Sequence, residues 1–408
     1  MLGIVLALTL SAAPASAAAD PPTLTLAEAV ARARRESPLR ASAAATADGA
    51  DAAAKLAGRV PNPVIDAHVE NLGASGPLSP GPDVFALVSQ PVELGGKRGA
   101  RRNVAGSDRD VSSLLLQTVE RQIALDTTRA YMRAVRARDV LATLASQRDG
   151  MNTMVTTMRR RVEEGLAPGS DLLRFEAESA RLAVEITRTD IELRRSLLDL
   201  ASLLGAVAPI SASQLVSPAP LAPPQLDDAS VAKAVAQRSD VKLAAARVGR
   251  AQSVVTLEDA RRLPDPVITG GYKRTTYMNT AVIGVVMSVP LFDRNAQARA
   301  LASASVKSAN GDLAATQLRA EAEARASMAA ATALAQSLSR VGTDLLAPAE
   351  GVRNAAQAMF REGATDVLKL VDAERIYTDV RREALSLAID AYVAAVEARF
   401  AVAEEDIP

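Results

Sequence analysis

The chain has no cysteine, no tryptophan and a single histidine, His68, among 408 residues. Without thiols there is no disulfide framework, no cysteine nucleophile and no thiolate metal site. There is also no lipobox cysteine to carry a lipid anchor. One histidine cannot complete a transition-metal ligand set or serve several catalytic roles, so no cofactor and no enzymatic activity are expected. Aromatic residues make up 2% of the chain, poor material for a compact globular core. Forty-seven Lys and Arg balance forty-seven Asp and Glu, for a net charge of +0. No basic surplus exists to neutralise nucleic-acid phosphates. Beyond the first residues no run of about 18 apolar residues occurs, so no transmembrane helix is expected.

What remains is rich in Ala, Leu, Val, Arg and Glu, residues that enter long helices at little cost. The first segment stands apart. An apolar run over 2–10 leads to Ala15-Ser16-Ala17, which reads as a signal peptide over 1–17 with a small-residue cleavage site. No Lys or Arg precedes the run, as a start placed too far downstream would give.

The body of the chain repeats itself. Pro61-Asn62-Pro63-Val64-Ile65 recurs as Pro264-Asp265-Pro266-Val267-Ile268. Ser89-Gln90-Pro91-Val92 recurs as Ser288-Val289-Pro290-Leu291. Glu164-Gly165 and Asp171-Leu172-Leu173 recur as Glu362-Gly363 and Asp366-Val367-Leu368. Two structural repeats are expected, over 18–208 and 227–408, joined by a Pro-rich linker at 209–226 that blocks helix continuation.

Each repeat has the same internal plan. A helical segment (24–59, 227–262) stops at the Pro-Asn-Pro or Pro-Asp-Pro signal. A β-hairpin follows, over about 63–91 and 266–290, with strands of about 9–11 residues, the length of a tilted membrane strand. In the first hairpin Val64, Asp66, His68 and Glu70 alternate with Ile65, Ala67 and Val69. Phe85, Leu87 and Ser89 alternate with Val84, Ala86 and Val88. The first hairpin loop spans 73–82; the second turns tightly near Tyr277-Met278-Asn279. Then comes a long helix. From 97 to 164 there is no proline, and such a helix runs about 100 Å at ~1.5 Å per residue. Leu116, Ile123, Ala130, Ala137, Leu144, Met151 and Met158 recur every seventh residue, as do Val306, Leu313, Ala320, Leu334 and Val341 with Ser327 interrupting. That period predicts supercoiled helix packing. Turns at Gly165 and Gly363 reverse the chain into return helices over 171–204 and 366–404.

Four strands cannot close a barrel, and an open sheet edge is not tolerated in lipid. Several chains must therefore pool their strands; three would give twelve, within the range of outer-membrane barrels. Helices near 100 Å must project outside the bilayer. The fold class expected is mainly α, with long coiled-coil hairpins forming an α-barrel and four β-strands per chain.

The chain resembles the TolC-type outer-membrane efflux family, closest to the outer-membrane subunits of cobalt–zinc–cadmium efflux systems. The resemblance is carried by Leu24-Thr25-Leu26-Ala27-Glu28-Ala29-Val30, Ser37-Pro38-Leu39, Pro61-Asn62-Pro63, the stretch from Val88-Ser89-Gln90-Pro91 to Glu93-Leu94-Gly95-Gly96-Lys97-Arg98, and the segment from Gly363 to Tyr377. It implies a homotrimer, with a twelve-stranded outer-membrane barrel continuous with a periplasmic α-barrel. The tube passively conducts metal cations, or drugs, from an inner-membrane RND-type pump through a periplasmic adaptor. By the resemblance, the adaptor docks at Gly165, Leu166 and Ala167 and at Gly363, Ala364 and Thr365. Asp366 and Asp372 match the acids that close the periplasmic mouth. Six residues apart, they leave open whether one ring or two forms. If the mouth opens, the last helix of the second repeat is expected to move.

Several other features have competing readings. Gly95-Gly96-Lys97 lacks the upstream glycine and the following Ser or Thr of a phosphate loop, so it reads as a strand-to-helix turn. Lys97, Arg98, Arg101 and Arg102 fit either an inner lipid interface or a solvated helix start. His68 fits a lumen-facing polar position or a metal contact. Phe85, Tyr272 and Tyr277 are the candidates for an aromatic girdle. Asp372 fits either the gate or a plain acidic residue complementing the helix dipole. A soluble periplasmic coiled-coil adaptor is the alternative architecture.

Overall fold

A computed structural model describes residues 23–73, 81–206, 210–275 and 277–405. The expected signal peptide and most of the first hairpin loop lie outside the described residues. Helices α1 (Leu26–Glu36) and α2 (Pro38–Leu56) precede strands β1 (Val64–Glu70) and β2 (Asp83–Pro91). Then come α3 (Lys97–Glu163) and α4 (Gly169–Leu203). After the linker the order resumes with α5 (Asp228–Ala236), α6 (Ser239–Ala260), β3 (Val267–Arg274) and β4 (Asn279–Val286). The second long helix is α7 (Ala296–Val341), a π-helical turn over Gly342–Leu346, and α8 (Ala347–Arg361); α9 (Val367–Ala401) returns.

The helical segments at 24–59 and 227–262 are each two helices rather than one. Thr25 caps α1 through a reciprocal bond with Glu28. Pro38 then sits in the first turn of α2, which forces Ser37 into an extended conformation. The second break has no proline. Arg238 is extended there, buried, and tied to Asp240 and Glu323 at 2.8 Å each.

The strands form one antiparallel sheet in the order β1-β2-β3-β4. β2, at 9 residues, has the expected length, while β1, β3 and β4, at 7 or 8, are shorter. Asn71 adopts a left-handed conformation (φ 58°) just past β1, and Pro290 cannot donate beyond β4. Where β2 meets β3, Gly271 is obligatory. A Cβ there would lie 2.3 Å from the Ala86 carbonyl oxygen and 2.8 Å from the Leu87 side chain.

The seven-residue stripe of α3 is a buried seam: Ile123, Ala130, Ala137, Leu144, Met151 and Met158 all lie inside. The apolar contacts form successive clusters along the helices rather than one core. One gathers α1, the middle of α3 and the end of α9 around Tyr131 and Phe400. The Tyr131 hydroxyl lies 2.7 Å from the carbonyl oxygens of Leu24 and Val216 and accepts the Val216 N–H at 2.9 Å. It pins the start of the described chain to the linker, where Leu24 and Leu215 form a parallel bridge. A second cluster, Leu144, Met151, Met158, Phe175, Leu182, Leu370 and Val371, joins α3, α4 and α9 toward the reversing turns.

In α7–α8, Pro348 has no N–H for the carbonyl four residues back, and the helix relaxes into the π turn just before it. No equivalent break interrupts α3.

Candidate functional site: the sheet faces and the helical tips

The register sorts the strand residues into two faces. One row set holds Ile65, Ala67, Val69, Val84, Ala86, Val88, Ile268, Tyr272, Ala281, Ile283 and Val285, with Gln90 at its helix end and Arg274 and Asn279 at its hairpin end. This face is apolar through its middle rows, and Ile283 is 86% exposed. The other holds Asp66, His68, Glu70, Asp83, Ser89, Thr269, Lys273 and Thr280, with Val64, Phe85, Leu87, Val267, Val282 and Val286 among them. A free sheet face this apolar is built for lipid, and the polar one for water. Among the girdle candidates, only Tyr272 lies in a strand on the apolar face. Phe85 faces the other way, because its alternation phase is that of Asp83 and Leu87. Phe292, beyond β4, is 99% exposed and was not read from the sequence as a surface aromatic.

At the junction of strands and helices, Gly95 and Gly96 take φ values of 71° and 73°, which makes the strand-to-helix turn. The basic run beside it is largely engaged with the protein itself. Lys97 Nζ lies 2.7 Å from Asp265. Arg98 donates to the Gly58 carbonyl. Arg101 pairs with Glu93 and donates to the carbonyls of Ala57 at 2.7 Å and Arg59 at 2.9 Å.

The two reversing turns share one geometry. Gly165 (φ 72°) and Gly363 (φ 74°) each end a helix in the left-handed region. The N–H of Leu166 reaches the Arg161 carbonyl at 2.7 Å, and that of Gly165 the Val162 carbonyl at 3.0 Å. In the second turn Ala364 reaches Met359 at 2.8 Å and Gly363 reaches Phe360 at 3.2 Å. Both are Schellman closures, which glycine accommodates without steric cost. Leu166 is 73% exposed at the first tip; Ala167 and Thr365 are half-buried.

Asp366 is the N-cap of α9, where its carboxylate accepts the Lys369 N–H at 3.0 Å. Asp372, two turns on, is exposed on a face that also carries Leu368 and Lys369. Polar ties invisible to local pattern surround it. Glu178 of α4 is buried and sits 2.7 Å from both Arg181 and Arg375. Burial would raise the Glu178 carboxyl, but the two guanidiniums outweigh it and hold it below the usual carboxylate range. Arg382 reaches Glu185 at 3.2 Å. Buried Glu374 accepts Gln147 at 2.9 Å and Gln357 at 2.6 Å. So α9 is fastened to α3, α4 and α8 by side-chain bonds just beyond the tip.

The family model for the outer membrane efflux protein matches residues 231–402. The cobalt-zinc-cadmium resistance protein CzcC of Cupriavidus metallidurans is 28% identical over 82% of this chain and 79% of its own length. The nickel-cobalt-cadmium resistance protein NccC of Alcaligenes xylosoxydans is 30% identical over 70% of this chain and 64% of its own. The second half of the chain thus carries the family's pattern, and most of its length is similar to these resistance proteins. Its fold superposes on the CmeC outer membrane channel of Campylobacter jejuni with a TM-score of 0.81, covering 93% of this chain and 86% of that one at 14% identity. The family match, the resistance relatives and the fold together make it a channel subunit of the outer membrane. The two-faced sheet is its membrane part, and the helices reach into the periplasm. Among the described residues no helix is long and apolar enough to cross a membrane.

Proposed function

We propose that three copies of this chain close a twelve-stranded barrel and conduct metal cations outward, supplied by an inner-membrane pump through a periplasmic adaptor. The observation that carries this reading is the sheet itself. It has one largely apolar face and one more polar face, and among the described residues neither β1 nor β4 has an outer neighbour. Edges in lipid must be paired, and β4 of one protomer meets β1 of the next. The two repeats act as quasi-equivalent staves of one tube. The cargo class is supported by the relatives named for cobalt, zinc, cadmium and nickel resistance. Among the described residues no cluster of His, Asp and Glu is arranged to hold a metal ion, which suits a conduit that releases its cargo.

In this reading Gly165, Leu166, Ala167, Gly363, Ala364 and Thr365 present the adaptor-docking tips. Asp372, exposed near the second tip, lines the periplasmic mouth. Asp366 has a first duty as the α9 cap and contributes charge only secondarily. Carboxylates in a narrow mouth repel one another and attract cations. The test is outer-membrane fractionation followed by planar-bilayer recording. A heat-modifiable trimer whose cation preference drops in Asp372→Asn supports the reading. A soluble periplasmic monomer would overturn it, and unchanged conductance in Asp372→Asn would remove that residue from the mouth. Loss of cobalt, zinc or cadmium tolerance on deletion tests the cargo.

A further inference from the structure

Helix α6 starts bare. Its N-cap, Arg238, is extended and supplies no side-chain cap; its guanidinium goes instead to Asp240 and Glu323. The Val241 N–H donates to the Asp240 carboxylate at 2.9 Å, and the Lys242 N–H to the Arg238 carbonyl at 3.0 Å. The N–H groups of Ser239 and Asp240 come before any carbonyl of the helix.

This end of α6 opens on a groove of about 460 Å³, walled also by the end of α1, the middle of α3 and the residues after α9. Ser239 lines it. The residue is only 8% exposed, and its hydroxyl is buried with no hydrogen-bond partner among the described residues. Buried hydroxyls are nearly always bonded, so this one stands out.

The charges on the walls do not balance. Glu120 is bound to Arg40 at 2.7 Å, and Glu405 lies 3.7 Å from Arg121 Nε. Arg34 and Lys242 line the same groove with no acidic partner among the described residues, and Arg34 Nε is buried without a hydrogen bond. Behind the wall, Arg121 and Arg238 converge on the end of α9. They donate to the carbonyls of Phe400 at 3.1 Å and Ala401 at 3.4 Å. Burial, and then Arg238, pull the Arg121 guanidinium below its usual range.

We propose that this groove binds an oxyanion of the phosphate class, free or as a monoester, held by the Ser239 hydroxyl, the first N–H groups of α6 and the Arg34 and Lys242 cations. A helix start, a hydroxyl and two cations are donors suited to phosphate oxygens. Gln237 and Lys242 are long, exposed side chains at the rim, and their rotation uncovers the hydroxyl. The bound anion ties α1 of the first repeat to α6 of the second, half-way along the molecule.

The test is a calorimetric titration of the purified full chain with sodium phosphate at neutral pH, with ionic strength held constant by chloride. Saturable binding is expected. Ser239→Ala, Arg34→Gln and Lys242→Gln should each weaken it by at least about fivefold. Ser239→Ala removes a hydroxyl that bonds nothing in the protein. Its melting temperature without phosphate should therefore match wild type, while the rise on adding phosphate is lost. A lower melting temperature without phosphate, together with unchanged phosphate affinity, would make the hydroxyl structural and overturn the site. Glycerol phosphate separates the two sources: tighter binding than inorganic phosphate identifies a monoester, equal or weaker binding the free ion. Heat that never saturates, or that survives in all three variants, overturns the proposal. So does a wild type that ignores every anion while Asp406→Asn responds, because the groove then serves the chain's own next acid.

Discussion

The Lys97 ammonium lies 2.7 Å from the Asp265 carboxylate, so the Gly-Gly-Lys turn of the first hairpin is locked to the Pro-Asp-Pro turn of the second. Asp265 also accepts the Leu94 N–H at 2.9 Å. Partial burial pushes its carboxyl up, but Lys97 and this N–H prevail and hold it below the ordinary range. Lys97 itself is buried. Removing its partner leaves a cation with little water around it. Asp265→Asn should therefore destabilise the oligomer by about 2 kcal/mol. The measurement is the temperature at which the oligomer dissociates on a gel; no downward shift would show that the lock contributes nothing.

The Glu178–Arg375 pair gives a pH dependence with a definite sign. The Glu178 carboxyl is held below its unfolded value of 4.5. Its contribution is fully present above that pH and is lost as pH falls through the lower folded value. Thermal unfolding followed by circular dichroism from pH 6 to pH 3 should show this acid loss, reduced in Glu178→Gln.

The same tie should restrain α9. Arg375→Ala cuts one of the two ionic ties from α9 to α4, leaving Arg382–Glu185 in place and Glu178 its bond to Arg181. Single-channel recording should find longer open dwell times, by several-fold, if α9 moves when the mouth opens. Unchanged dwell times would place the moving element elsewhere.

Asp366 can be separated into cap and charge. Asn is as good an N-cap as Asp, whereas Ala costs about 1 kcal/mol. Asp366→Asn should leave stability nearly unchanged and Asp366→Ala should lower it. Any change in cation preference seen in Asp366→Asn alone belongs to the charge. Thermal melts and reversal potentials on the two variants make the distinction.

Gly271→Val should abolish assembled channel altogether, because any Cβ there meets the Ala86 carbonyl oxygen at 2.3 Å. Gly284→Ala, in the neighbouring strand with open space around it, should assemble normally. Outer-membrane yield of the two variants checks the contrast.

Much of this was legible in the sequence, because the strong signals are periodic. The seven-residue spacing from Ile123 to Met158 is the buried seam of α3. The alternation from Val64 to Glu70 separates the two faces of the sheet. Both need only local geometry. The stripe in α7 was followed as far as Val341, and the π turn begins at the next residue. One added residue advances the following helix by about 100°, so no single repeat continues into α8. The break at Ser37 follows from Pro38, but the break at Arg238 depends on Glu323, 85 residues away. Glu178 and Arg375 are 197 apart. Such ties have no sequence pattern and emerge only from packing. For Asp366 and Asp372 the sequence offered two acids of equal standing; only the first turned out to have a bond to the helix start.

The bare edges of β1 and β4 also bear on how the protein is made. A newly exported subunit has no resting state: in water its apolar sheet face is uncovered, and in lipid its edge N–H and C=O groups are unpaired. In the proposed trimer, meeting other subunits is part of its folding, and the yield of channel should rise more steeply than linearly with the amount of chain synthesised. A substitution that merely slows this encounter would look, in a cell, like a loss of expression.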